Sequence, residues 1–205
     1  MLLHLSAGLI TALVAHHTFG AEMNWSLCII AVLAAYLPDI DALSEWRKKG
    51  KVAAHSGNVC DSRDGLHYPT ITTPSVFVIV AATVYSWTED WSQTWFWAVL
   101  VAANVFIHFV IDSFGPGWGV KWLFIPHAPK TWSNYKLFCD RDGTPSLRVL
   151  MSWKHTEIKQ VIFMHGDKDW LQKYFQSTLF LLEYVILMLT VAAVLAAFSN
   201  ASLIE

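Results

Sequence analysis

Charged residues are scarce in this chain. Asp, Glu, Lys and Arg make up 15% of it against 55% hydrophobic residues, and the mean hydropathy is positive. A soluble domain carries roughly a quarter charged residues, so the shortage argues against a water-soluble fold and for a multi-pass membrane protein. Cysteine is sparse as well. Cys28, Cys60 and Cys139 form no Cys-x-x-Cys pair, which argues against a thiolate zinc site, and their odd number against a disulfide framework. No internal repeat or low-complexity tract is visible. The apolar stretch 2–15 has neither the basic flank nor the small-residue cleavage site of a secretory signal, and it reads as a retained helix. The formal net charge of −2 gives no sign of nucleic-acid binding.

What is present fits the membrane class. Eleven Trp and six Tyr supply the amphipathic rings that collect at headgroup level. Five apolar segments stand out, at residues 2–19, 23–37, 71–87, 95–114 and 174–198. The last two reach the ~20 residues that a helix needs to cross ~30 Å of hydrocarbon. The first two are shorter, joined by a tight turn near Gly20 and Glu22, and suit a tilted hairpin. The expected fold is all-α: one multi-pass helical bundle over residues 1–205, with about five transmembrane segments. Residues 115–173 would form a small cytoplasmic cap. Within that loop, 120–125 and 135–138 are candidate short strands, and 147–163 reads as an amphipathic element lying on the membrane or capping the bundle.

The basic residues set the orientation. Arg47, Lys48, Lys49, Lys51 and Arg63 fall between the second and third segments. Lys121, Lys130, Lys136, Arg141, Arg148, Lys154, Lys159, Lys168 and Lys173 fall between the fourth and fifth, so these two loops hold all fourteen Lys and Arg. The opposite connections carry only Glu22, Glu89 and Asp90. The positive-inside rule puts both long loops and the N-terminus in the cytoplasm. Five crossings then leave the C-terminus outside, in a cell (inner) membrane.

Six candidate metal ligands, His4, Asp39, Asp41, His67, His108 and Asp112, come out on that same side. Ionisable groups near hydrocarbon are expensive and mark function. His108 and Asp112, four residues apart, share one helix face, with Asn104 one turn deeper. Gly115-Pro116-Gly117 ends that helix. Leu37-Pro38-Asp39-Ile40-Asp41 closes the second segment with two carboxylates of the kind that hold hard or borderline cations such as Zn²⁺, Mn²⁺ or Mg²⁺. His67 follows Arg63-Asp64-Gly65-Leu66, and His4 lies four residues into the first helix. Each alone also fits a structural role: a His–Asp bond sealing a helix end, solvated acids, or a surface histidine. Glu183, nine residues past Tyr174, would lie ~13 Å along its helix and needs a polar partner there; Asn104 is the expected one. His16 and His17 belong at the opposite interface.

These residues carry a resemblance. His4-Leu5-Ser6-Ala7-Gly8, Leu37-Pro38-Asp39-Ile40-Asp41, the loop Arg63 to His67, and His108-x-x-x-Asp112 followed by Gly119 and Pro126 resemble the YdjM-like family of membrane-bound, predicted metal-dependent hydrolases. That family looks related to the zinc-dependent phospholipase C and nuclease P1 group. The resemblance covers roughly the first 126 residues. Ser62 stands where the family has a first loop histidine, with His55 a candidate replacement; Tyr68 stands for Ser, and Ser113-Phe114-Gly115 for Leu-Thr-Pro.

The resemblance implies a hydrolase of phosphodiester or phospholipid-like, amphiphilic substrates. His4, His67, His108, Asp112 and one or both of Asp39 and Asp41 would hold a divalent ion, Zn²⁺ first. Asp41 would be the general base, and Arg63 or Lys121 would steady the phosphate. Two other classes use the same residues: a non-catalytic metal-binding protein of structural or regulatory role, and a metal or proton transporter. A transporter gathers its ionisable groups near the midplane between repeats, whereas these gather at one surface.

Overall fold

The computed structural model describes residues 2–40, 68–114, 121–124, 149–151 and 170–201. Six helices lie among them: α1 (Leu2–Phe19), α2 (Trp25–Tyr36), α3 (Pro69–Thr88), α4 (Trp91–Phe114), α5 (Trp170–Phe175) and α6 (Thr178–Ala201). A 3₁₀ turn, Leu37–Asp39, follows α2. The architecture is an all-α multi-pass bundle with one short antiparallel ribbon. Helices α1, α3, α4 and α6 are long and apolar enough to cross a membrane. Helix α2, with 12 residues, is only roughly 18 Å long and supplies the fifth apolar segment without the length to span on its own.

Local chemistry sets the helix ends. Gly20 takes the left-handed conformation (φ 65°) that stops α1. The His16 ring lies against the same turn, its Nδ1 donating to the Ala21 carbonyl at 2.8 Å. Asn24 then caps α2, its Oδ1 accepting the Leu27 N–H at 2.9 Å. At the far end Pro38 has no N–H to give the Ala34 carbonyl. Leu37 donates to it instead, which tightens the backbone into the 3₁₀ turn. Asp90 caps α4 with its Oδ1 on the Ser92 N–H at 2.7 Å.

Two compact units divide the chain. The first comprises Met1–Leu37, Thr73–His108 and Thr178–Glu205. Its core is built from small side chains, with Ala12, Ala15, Cys28, Ala31 and Ala197 packed with Met23, Leu27, Leu100 and Val194. Such residues let helix backbones approach closely where lipid gives no hydrophobic drive for association. Gly8 marks a close approach: a Cβ there would sit 2.7 Å from the Val32 Cα. Pairing Gly8 with Val32, and His4 with Tyr36 (ring centroids 5.9 Å apart), makes α1 and α2 an antiparallel hairpin. Helix α6 runs parallel to α1, from Glu183 beside Leu2 to Ala197 in the cluster with Ala15.

The second unit comprises Pro38–Thr72 and Phe109–Ser177. Its described part holds the ribbon β1 (Lys121–Phe124) and β2 (Val149–Met151), paired antiparallel with a bulge between Lys121 and Leu123. The Thr70 hydroxyl donates to the Trp122 carbonyl at 2.7 Å. The strand expected over 120–125 is present. Its partner, however, comes from the stretch expected to be an amphipathic element, because the Val149-Leu150-Met151 backbone finds a ladder there. The other strand expected, 135–138, lies outside the described residues.

Candidate metal centre

The starts of α1 and α6, the end of α2 and the turn of α4 that carries His108 meet at one end of the first unit. His4, on the first turn of α1, and His108, near the end of α4, are both buried (6% and 1% exposed), with ring centroids 4.3 Å apart. Two imidazoles 104 positions apart in sequence therefore share one site.

The orientation of His108 follows from the end of α2. The last carbonyls of a helix have no partner within it, and Ala35 is among them. His108 Nδ1 lies 2.8 Å from the Ala35 oxygen. A carbonyl only accepts, so the ring nitrogen donates, and the neutral imidazole keeps its lone pair on Nε2. A ring N–H given to a backbone carbonyl is the usual way a metal-binding histidine is held. Asp112 lies one turn further along the same unbroken helix as His108, hence on the same face. Ligand atoms of His4, His108 and Asp112 lie within 4.8 Å of one another.

Two imidazoles and a carboxylate suit borderline divalent ions, and they are the donor set of many three-ligand zinc centres. Donors on one tetrahedral zinc sit roughly 3.3 Å apart, given bonds of about 2.05 Å. The three groups would draw in by about 1–1.5 Å, within reach of side-chain torsions. The residues fit such an ion in type and in proximity, and His108 also in tautomer.

The remaining candidates divide plainly. Asp39 is half-buried on the 3₁₀ turn and is not one of the three grouped residues. Asp41, Arg63 and His67 lie outside the described residues, as do His55 and Ser62. Lys121 belongs to β1 by its backbone, and its side chain lies outside what is described.

Glu183 departs from expectation. Its Oε2 accepts the Leu2 N–H at 3.0 Å, and Asn104 is not its partner. Helix α6 begins at Thr178, after a turn at Gln176 and Ser177. Glu183 is therefore roughly 8 Å into its helix, level with the start of α1. There a carboxylate satisfies a helix N–H that has no intrahelical acceptor and meets the positive end of the dipole. Asn104, fully buried, uses its Nδ2 on the Leu100 carbonyl (2.9 Å). Its Oδ1 faces the Thr11 hydroxyl, also at 2.9 Å, whose single proton it shares with the Gly8 carbonyl at 2.7 Å. Thr11 is the residue that reading the sequence missed. Its signal was its spacing: seven residues after His4, on the same helix face, as Asn104 is one turn before His108.

No curated protein and no solved structure matches the chain. A family model does match, and over residues 1–201 it extends well beyond the motifs of the first 126. Four candidate spans and a family defined by its place in the inner membrane agree on where the protein resides. The chain belongs to the YdjM inner membrane protein family.

Proposed function

We propose that the protein is a membrane-embedded, metal-dependent hydrolase whose site lies at the cytoplasmic face. The observation that carries this reading is the meeting of His4, His108 and Asp112, with the His108 lone pair aimed by the Ala35 carbonyl. Zn²⁺ is the first choice of ion, with Mn²⁺ or Mg²⁺ as alternatives. Bound there, it would lower the pKa of a coordinated water toward 7 and polarise the scissile bond.

The chain's own residues do the rest. His108 presents Nε2 because Nδ1 is committed to α2. His4 is presented by the first turn of α1, which Glu183 anchors at Leu2. Asp39, Asp41 and His67 are the further candidate ligands, and Asp41 is assigned as the general base that takes the proton of the attacking water. Arg63 and Lys121 are assigned to the phosphate of a phosphodiester or phospholipid-like substrate. Such a substrate suits a site at headgroup level, and the fourteen basic residues of the two long loops support its cytoplasmic position.

The test is metal content and turnover in the purified full chain, compared with His108→Ala, Asp112→Ala and Asp39→Ala. Affinity for Zn²⁺ should fall roughly tenfold or more in the first two, together with hydrolysis of phosphodiester and phospholipid substrates. Unchanged metal content in both would remove the site. Metal lost by the variants, with no turnover in the parent, would identify a non-catalytic metal protein. Metal flux into liposomes would identify a transporter.

A further inference from the structure

At the end of the first unit opposite the histidines lies a cavity of about 790 Å³, bounded by α1, the α1–α2 turn and the first half of α4. Its depth can be read from the helices. On α1 it runs from Phe19 to Thr11 and on α4 from Ser92 to Ala103, roughly 12–16 Å at 1.5 Å per residue. The volume falls within the roughly 300–1,000 Å³ of small-ligand sites.

The lining changes character along that depth. The inner part is apolar, from Val14, Ala15, Val99, Leu100 and Ala103. The rim, at the helix ends where water meets hydrocarbon, carries Glu22, Asn24, Ser92 and Gln93. Glu22 is the sole charged residue of the lining, and it is exposed. Thr11 stands at the floor, and its hydroxyl is bonded to the Asn104 amide. This polar bridge separates the cavity from the histidine pair one turn further along α4.

An apolar slot with a polar, acidic rim, set in the side of a membrane bundle, has the shape and chemistry of an amphiphile. We propose that this cavity binds one bilayer lipid, with one hydrocarbon chain inserted toward Ala103 and an ammonium-bearing headgroup at the rim. The apolar depth takes the chain, and the side-chain amides and Ser92 take the ester and phosphate oxygens. Glu22 accepts from the ammonium and disfavours a headgroup of net negative charge. The site is distinct from the metal centre and does not depend on its reading.

Photo-crosslinking in vesicles tests this. The full chain is reconstituted with phosphatidylethanolamine carrying a diazirine in one acyl chain, or with phosphatidylglycerol carrying the same chain, and adducts are mapped by mass spectrometry. Adducts should concentrate at Val14, Val99, Leu100 and Ala103, and the ethanolamine lipid should be preferred roughly two- to fivefold, as an exposed charge pair allows. Glu22→Gln should abolish that preference while keeping the adducts. Ala103→Trp should cut their yield roughly tenfold or more, as pockets too small for their ligand do. Val99→Trp, at a half-exposed position (47%), should act likewise without burdening the core. Adducts spread evenly over the exposed faces of α3 and α6, with yields at Val14 and Leu100 unmoved by both Trp variants, would overturn the site. Equal labelling by the two lipids in the parent would overturn the headgroup assignment.

Discussion

Helices α1 and α3 have the same mean hydropathy and nearly the same length, yet a third of the α1 span is buried and only 6% of that of α3. Apolarity qualifies both for a membrane and does not separate them. The difference lies in size and polarity along one face. Helix α1 turns Ser6, Gly8, Ala12 and Ala15 inward and adds two polar ties, Thr11 to Asn104 and Leu2 to Glu183. Helix α3 exposes Ile71, Val78, Ile79 and Trp87, and its ties to α4 are ring contacts, Phe77 with Trp95 and Tyr85 with Trp91. In lipid, close packing and hydrogen bonds make a helix part of the core. A bulky apolar surface leaves it facing the solvent.

The largest expected effect is at Gly8. Gly8→Leu would force side-chain atoms into the α2 backbone at Val32, and a backbone cannot rotate aside. It should cost about 3 kcal/mol or more, at or beyond the upper end of ordinary overpacking, seen as loss of folded protein in denaturant titrations of micelles. If Gly8→Leu is tolerated, the close approach of α1 and α2 is wrong. Glu183→Ala comes next. Removing the acceptor of the part-buried Leu2 N–H should cost about 1–2 kcal/mol, toward the lower end of what a fully buried donor loses. Glu183→Gln, which keeps an acceptor oxygen, should recover most of that, and equal losses in the two would refute capping.

Thr11→Val removes the tie to Asn104 and should cost about 0.6–2 kcal/mol. A double-mutant cycle with Asn104→Ala measures the coupling, and a value near zero would dissolve the polar bridge between α1 and α4. The smallest effect belongs to α3. Ile79→Ala, at a position 64% exposed, should change stability by no more than about 0.5 kcal/mol. A loss as large as that at Thr11 would mean that α3 is a core helix after all.

Much of this was legible in the residues. The segments expected at 71–87 and 95–114 became α3 and α4, with ends shifted by two and four residues, since Pro69 and Asp90 start helices earlier than apolarity does. His4 and His108 could be named one at a time, because an imidazole on an apolar helix is conspicuous. Their meeting could not be read from either helix. The expected pairing of Glu183 with Asn104 failed for a related reason. Depth was counted from Tyr174, but the chain turns at Gln176 and Ser177, and that break moves Glu183 level with the start of α1. The strand at Val149–Met151 was hidden because three apolar residues have no period to show.

The sequence by itself determined the class of solvent, the number of apolar segments, and the gathering of all fourteen Lys and Arg in two of the connections between them. These are sums over neighbouring residues, and the hydrophobic effect and the membrane charge rule act on such sums. Only the tertiary structure decided that His4 meets His108, that Ala35 orients it, and that Thr11 rather than Glu183 answers Asn104. Those facts depend on the register between helices far apart in the chain. That register is set where backbones come close enough to exclude a single methyl group, as at Gly8, which no local pattern encodes.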